Sequence, residues 1–469
     1  MKHDKKYIIN LFLVLSLLIT TANTAFSIDN KKAKKQSKQE TVQIKPEFTN
    51  DTHSVFTLMD CVNIALKYNP SIRSYVFNEE VYKSKIGQAW SNYFPTITAG
   101  VDVSRSGNHY YRGTPYGYRS MYNTMGYVPN VSADMLIFDF GKTKAYADTA
   151  KRVYEARQAD TRATINSIIY DIKVTYYNIL FAQAQVKVYE DTVQDYELQL
   201  NQAWGFYNLG KKAKIDVVTA EYNLGKARLN LVKAQNILEV AYVQLSKIMG
   251  IPEYKNYELA DELSLNRFNI NVEDALKTAY DVRPELISAK KNVEAAQLNL
   301  RAQKRNYTPD LGLSASFGYG VGNDYNVRST QYGVGLKYNA FNIALVKKQV
   351  DEARAGYKKA LADYDDAKDN VYYNVKKGYL DLETTAEEIR IAKLALDQAK
   401  EQYRQVTGRY KAGVGDAIEL KDGENTYLNA RLDFYNAMLN YNVAAASLEK
   451  EIGIPLQLTD KSVLDNTSL

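Results

Sequence analysis

Only one cysteine and three histidines occur among the 469 residues, and these scarcities close off several chemistries. Cys61 has no partner for an internal disulfide and no second thiolate for a zinc site. It sits in an apolar helical pattern and is expected to be a packed core thiol. His3, His53 and His109 fall in the leader or in a loop, so no metal site and no nucleophile–base pair can be assembled from them. Neither enzymatic activity nor a cofactor is expected. After the first 27 residues no apolar run reaches 18 residues, which excludes a transmembrane helix and leaves strands as the only way into a membrane. A basic face is also lacking: the net charge is +6, and residues 1–46, with nine Lys/Arg and three Asp/Glu, account for all of it. Nucleic-acid binding is therefore not expected.

Proline is absent between Pro129 and Pro252, and what fills that gap sets the architecture. Ile165, Ile172, Ile179, Val186, Val193, Leu200 and Tyr207 recur every seventh residue. A sustained heptad implies a left-handed supercoil with a partner helix. From Gly141 to about Asn208, at ~1.5 Å per residue, the helix would be roughly 100 Å long. A shorter helix returns from the tip at Gly210 to Gly250-Ile251-Pro252. The same stretch occurs again 203 residues later, with Val375, Leu382, Ile389, Leu396, Tyr403 and Tyr410 on the heptad and Gly453-Ile454-Pro455 at the end. Repetition of this kind decides the fold.

The expected organisation follows. Residues 1–27 read as a signal peptide (Lys5 and Lys6, an apolar run from Ile8 to Ile19, then small residues), and 28–56 as a flexible leader. A first repeat spans 57–256 and contains a short helix, a second helix, a strand pair at about 96–138 and a long helical hairpin at 141–250. Residues 257–270 form a linker. A second repeat, 271–469, has its strand pair at about 310–340 and its hairpin at 344–453. The strands show a period of two: Ile97, Ala99, Val101 and Val103 in one half, Leu311, Leu313, Ala315, Phe317 and Tyr319 in the other. Each run has about the 9–11 residues that a tilted strand needs to cross a bilayer. The first half carries 11 extra residues between Pro95 and Phe138, read as a polar, tyrosine-rich surface loop at 105–126. Asp139 and Asn342 stand where a helix N-cap belongs. The lengths suggest that each half supplies one continuous long helix and one column of two stacked segments, with short helices and the linker forming a belt at the junction. Four strands cannot close a barrel, and a membrane demands that every edge be paired: either the strands pack on a soluble core or several protomers complete one barrel, and the little chain left over for a covering layer favours the second.

Several motifs recur at the repeat offsets. These are Asn69-Pro70 and Arg283-Pro284 at helix starts, and Tyr93 to Pro95 and Tyr307 to Pro309 from helix to strand. Ile137-Phe138-Asp139-Phe140-Gly141 follows the first strand pair, and Tyr207 to Gly210 and Tyr410 to Gly413 mark the tips. Together they make the chain resemble the TolC-type outer-membrane efflux proteins over about 57–455. The resemblance implies a mainly α fold with a small β part. A homotrimer would build a twelve-strand β-barrel in outer-membrane lipid and a long-helix α-barrel tunnel across the periplasm. It also implies a passive duct for efflux or type I secretion, opened at the tips by a periplasmic adapter and an inner-membrane pump. A secreted periplasmic or surface coiled-coil rod without channel activity is the alternative.

The same resemblance assigns residues. Glu419 and Asp422 fall on an acidic ring inside the tips, Tyr410 and Asp216 on contacts that latch neighbouring helices, and Gly210, Lys211, Gly413 and Val414 on the adapter-docking tips. From spacing alone, Asp416, Glu419 and Asp422 share one slowly turning helix face. Asp416 with Glu419 reads equally as an N-cap and capping box. Gly415 departs from the arginine that some members carry in the latch.

Overall fold

The computed structural model describes residues 54–111, 119–252, 257–264, 270–321, 326–338, 343–412, 414–415 and 417–454. The signal peptide, most of the leader, Asn342, Gly413 and Asp416 lie outside them. The described part is built from two copies of one sequence of elements. The first copy holds helix α1 (Leu58–Tyr68), α2 (Pro70–Trp90), strands β2 (Thr96–Tyr111) and β3 (Arg119–Phe138), then α3 (Lys142–Asn208) and α4 (Lys214–Met249). The second holds α5 (Val272–Val282), α6 (Pro284–Lys304), β5 (Asp310–Val321), β6 (Asn326–Lys337), α7 (Ile343–Lys411) and α8 (Ala417–Ile452). Corresponding helices match closely in length: 11 and 11, 21 and 21, 67 and 69, 36 and 36 residues. Two short strands, β1 (Ser54–Phe56) and β4 (Tyr257–Leu259), complete the set.

The helices form four columns. α3 packs against α2 near the strands and against α4 towards the tip; α6 and α8 cover its other side, and α7 packs on both of these. Thus α3 and α7 are continuous, whereas α2 with α4, and α6 with α8, are composite. The junctions explain the paired helix starts. The Asn69 Oδ1 caps α2, accepting from the amides of Ser71 (2.8 Å) and Ile72 (3.2 Å). Its Nδ2 donates to the carbonyl of Ile248 at the end of α4, 2.7 Å away. One side chain therefore satisfies backbone groups of two abutting helix ends, which would otherwise be orphaned. Proline follows at the first helical position, where its missing N–H costs nothing. In the second repeat Arg283 stands in place of Asn69, and its guanidinium reaches Glu451 at the end of α8 (2.6 Å).

A belt surrounds the first junction. β1 pairs in parallel with β4, Ser54 opposite Tyr257 and Phe56 opposite Leu259, and the rings of Phe56 and Tyr257 lie 5.1 Å apart. The Tyr176 hydroxyl of α3 donates to Asp261 at 2.6 Å. The leader expected at 28–56 thus ends earlier than its composition suggested. Phe56 is buried on the linker strand, and that burial orders its last three residues. Cys61 is also fully buried, as expected of a core thiol, and burial pushes its pKa up to about 12.

The four long strands form one antiparallel sheet in the order β2-β3-β5-β6, so the two repeats meet at β3–β5. β5 and β6, 12 residues each, are close to the expected bilayer-crossing length. β2 and β3 are longer, at 16 and 20 residues. The expected surface loop at 105–126 is corrected here: pairing continues from Ser104 opposite Gly126 to Tyr111 opposite Arg119. Tyrosine and threonine favour strands, and an antiparallel ladder gains from each added pair. The extra residues lengthen a hairpin.

Strand becomes helix at Asp139, which is fully buried. Its carboxylate accepts from the amides of Gly141 (3.0 Å) and Thr143 (2.6 Å) and from the Tyr93 hydroxyl (2.8 Å). Burial pushes this carboxyl up, but bonds from the Thr143 side chain and amide, from Tyr93 and from the Gly141 amide outweigh it. The net effect holds it below the usual carboxylate range. Asp139 serves the capping role expected of it, from three residues ahead of the first helical residue, because Phe140 and Gly141 both adopt positive φ (54° and 78°). The second repeat reinforces the corner. Arg305 donates to the Gly141 carbonyl, and Lys142 pairs with Asp310 at 2.7 Å.

Candidate functional site at the sheet and the helix tips

The sheet has two unlike faces. The register aligns Ile97, Ala133, Ala315 and Tyr332 in one row across four strands, with Met135, Leu313 and Val334 in the next. Of these, Ile97, Met135, Leu313, Tyr332 and Val334 are exposed, as are Val101, Val103 and Leu336 on the same face. The opposite face carries Thr98, Ser132, Ser316 and Gln331 in one row and Gly100, Asn130, Gly318 and Ser329 in another. Where strands meet helices, Trp90, Phe94, Phe138, Phe140, Tyr307 and Tyr338 stand exposed. An apolar band bounded by aromatic rings, backed by a polar face, is the alternation of a barrel wall between lipid and a wet lumen.

At the far end, α3 closes with Gly210 at φ 68°. The Gly210 amide bonds to the Tyr207 carbonyl and the Lys211 amide to the Phe206 carbonyl, both at 2.9 Å, a Schellman turn that uses glycine for its left-handed residue. The Asp216 carboxylate accepts from the Ala213 amide at 3.2 Å, capping α4. At the second tip the amides of Val414 and Gly415 both bond to the Arg409 carbonyl at 3.1 Å. A β-carbon on Gly415 would lie 2.8 Å from the Tyr410 nitrogen, so this turn has no room for an arginine side chain there. From the other side of the turn the Arg409 guanidinium reaches Glu419 at 2.6 Å.

Of the latch residues expected from sequence, Tyr410 and Asp216 are not brought together within one chain. The Tyr410 hydroxyl accepts from Lys212 Nζ at 3.1 Å, and the ammonium also lies 4.3 Å from the ring centroid. This bond joins the two hairpin tips. Asp422 is exposed one turn beyond Glu419, and Val414 is exposed at the turn. Gly413 and Asp416, named in the sequence reading, lie outside the described residues. Sequence reasoning missed Lys212, Arg409 and a buried carboxylate, Glu424. The last was findable, since Leu420, Glu424, Tyr427 and Arg431 share the core stripe of α8.

Both repeats match one family model, described as outer membrane efflux protein, over residues 61–251 and 275–453. The chain belongs to the outer membrane efflux protein family. It is 23% identical over 419 residues to the outer membrane protein TolC of Escherichia coli K12, covering 84% of this chain and 82% of that protein. It is equally 23% identical, over 414 residues, to the alkaline protease secretion protein AprF of Pseudomonas aeruginosa, covering 85% and 84%. The fold superposes on the Campylobacter jejuni CmeC outer membrane channel with a TM-score of 0.73 at 17% identity, covering 87% of this chain and 88% of that one. The chain is an outer-membrane channel protein with a periplasmic helical tunnel, and not an enzyme.

Proposed function

We propose that three copies of this chain form one passive exit duct for a tripartite efflux or type I secretion system. The observation that carries the reading is the pair of open edges. β2 and β6 bound the sheet, and an unpaired strand edge is untenable in lipid. The columns at the two ends, α4 and α7, carry outward apolar residues: Ile215, Val218, Tyr222, Leu229, Val232, Val240 and Val243 on one, Leu361, Tyr372, Leu380, Ile391 and Leu394 on the other. Those on α4 fall largely at spacings of three, four and seven, the pattern of a helix awaiting a partner. Pairing β6 with a neighbour's β2, and α7 with a neighbour's α4, closes both rings by one rotation. Three protomers would give twelve strands and twelve columns.

In that ring Glu419, Asp422 and Asp416 would become circles of like charge favouring cations, with Tyr410 and Asp216 latching neighbouring helices. Opening would follow docking of a periplasmic adapter on Gly210, Lys211, Gly413 and Val414, driven by an inner-membrane pump. Planar-bilayer conductance of the detergent-purified protein, beside a Glu419→Ala/Asp422→Ala variant, tests this. A small cation-selective current that rises or loses selectivity in the variant supports it. An indifferent channel would reduce the acidic face to helix capping, and absence of current from folded wild type and variant alike would leave two readings, a duct sealed without its adapter or a rod.

A further inference from the structure

The two hairpins, α3–α4 and α7–α8, meet in their lower halves along α3 and α8. Below the belt, side-chain hydrogen bonds join them at a few polar positions among the described residues. Besides Lys212–Tyr410, Arg431 reaches Asp191 at 2.7 Å and Gln199 Nε2 donates to Glu424 Oε2 at 3.0 Å. Glu424 is unusual among these groups, being a buried carboxyl, 4% exposed, at the interface itself. Its other oxygen, Oε1, is buried with no hydrogen-bond partner of good geometry among the described residues, the Tyr196 hydroxyl acting on the carboxyl only from a poorer position. Among the described residues no cation figures among the groups acting on it.

What does face it comes from three helices. α3 presents Gln199, the Tyr196 hydroxyl and the carboxylate of Asp195. α7 presents the Tyr403 ring and hydroxyl, which also engages Asp195. On α8 itself Lys421 stands three residues before Glu424 and Arg431 is engaged by Asp191; Lys411 of α7 acts on Asp195. Behind Tyr196, α4 supplies the apolar Leu224 and Ala227. A carboxylate in this position would be desolvated and opposed by a second carboxylate. The protonated acid suffers neither penalty.

We propose that Glu424 and Asp195 make the α3–α8 contact a proton-dependent clasp, closed when the Glu424 carboxyl is protonated and loosened when it ionises. Burial first, then the Asp195 charge, push the Glu424 pKa from 4.5 up to about 7, against the opposing pull of Gln199 and Tyr196. Asp195 is itself pushed up, by burial and then by Asp191. The sign follows from linkage: a carboxyl whose pKa is raised in the clasped state favours that state below its ordinary pKa. The advantage is lost as pH rises through the raised value. Near-neutral surroundings would therefore sit on the transition, and the second hairpin would swing more freely from the first as the medium becomes alkaline. The clasp is a property of one chain and holds whether or not the tips form a gate.

Hydrogen–deuterium exchange of the full detergent-purified protein across pH 5.5–8.5 tests it, read on segments 190–202 and 420–431 and corrected for the intrinsic pH dependence of exchange. Each pKa unit between clasped and free states changes their ratio tenfold, so local opening should rise about tenfold or more with a midpoint near neutrality. In Glu424→Gln, a neutral isostere, the rise should vanish and protection should stay at the acid level. In Asp195→Asn, which removes the facing charge, the midpoint should move to lower pH. A flat wild-type profile overturns the proposal, as does an inflection that survives in Glu424→Gln. If that variant fails to fold, the wild-type profile and the Asp195→Asn shift decide. Bilayer conductance is a separate readout, so the clasp and the gate can fail independently.

Discussion

Three glycines with left-handed backbones allow the stacked-column geometry to be tested one contact at a time. Gly210, Gly453 and Gly250 have φ of 68°, 90° and 80°, so alanine at each should cost a similar conformational term of about 1–2 kcal/mol. Their surroundings differ. At Gly210 a β-carbon would meet nothing within 4 Å; at Gly453 it would lie 3.2 Å from Arg283 Cα; at Gly250 it would lie 2.5 Å from the Tyr68 carbonyl oxygen. The last contact is backbone against backbone, across the seam where α4 abuts α2, and neither side can yield without separating the helix ends that Asn69 bonds together. Overpacking of that kind adds about 1–3 kcal/mol. Gly250→Ala should therefore cost about 2–5 kcal/mol, Gly453→Ala somewhat less, and Gly210→Ala only the conformational term. Denaturant titration of the three single variants, followed by tryptophan fluorescence and circular dichroism, gives the order directly. If Gly210→Ala loses as much as Gly250→Ala, the abutting junction contributes nothing beyond backbone conformation and the composite-column account is wrong.

Other outcomes follow from single contacts. Lys173 of α3 pairs with Glu449 of α8, both nearly buried. Lys173→Met, leaving that carboxylate buried and unpaired, should cost about 3–5 kcal/mol in the same titration, and adding Glu449→Met should restore most of it. Asp139→Ala should cost about 1–2 kcal/mol at neutral pH. Because the folded pKa of Asp139 lies below 3.8, its contribution is present above that value and lost as pH falls through the folded one. The gap between wild type and variant should then narrow in strong acid, measured as midpoint against pH. The Cys61 thiol, buried with its pKa pushed up to about 12, should resist maleimide at pH 8 in the folded protein and react promptly in denaturant, as mass spectrometry would show.

Much of this architecture was legible because repeats and periods are long-range signals. The two hairpins, the continuous and composite columns, and the strand pairs followed from heptads, alternation and offsets that survive any local error. The misreadings were local. Residues 105–126 look like a loop by composition, yet tyrosines and threonines within an antiparallel register extend a ladder as readily as they end one. The leader's final residues look featureless until Tyr257, some 200 positions away, supplies a ring for Phe56. The tip contacts were the least accessible. Lys212 and Arg409 each sit one residue from a position flagged in sequence, and which of two adjacent side chains crosses a turn depends on φ angles that no periodicity encodes.

The two tips also show why duplication need not mean equivalence. The first turn is a glycine-terminated Schellman motif, whose β-carbon position is empty. The second folds its backbone so tightly on Tyr410 that Gly415 has no freedom to vary. It is held by an ion pair, Arg409–Glu419, between partly exposed groups. Such a pair contributes little to stability, about 0–1 kcal/mol, and is screened by salt. Both turns are held by backbone bonds, and the second adds an ion pair that a docking surface or a change of charge can replace at small cost. Exchangeable ties lie within each hairpin, Arg409 to Glu419 in the second and Arg228 to Glu197 in the first, and others join the two, Tyr410 to Lys212 and Glu424 to Gln199. If the duct opens by hairpin motion, the ties between the hairpins must break, and spin labels on α8 should shift relative to α3.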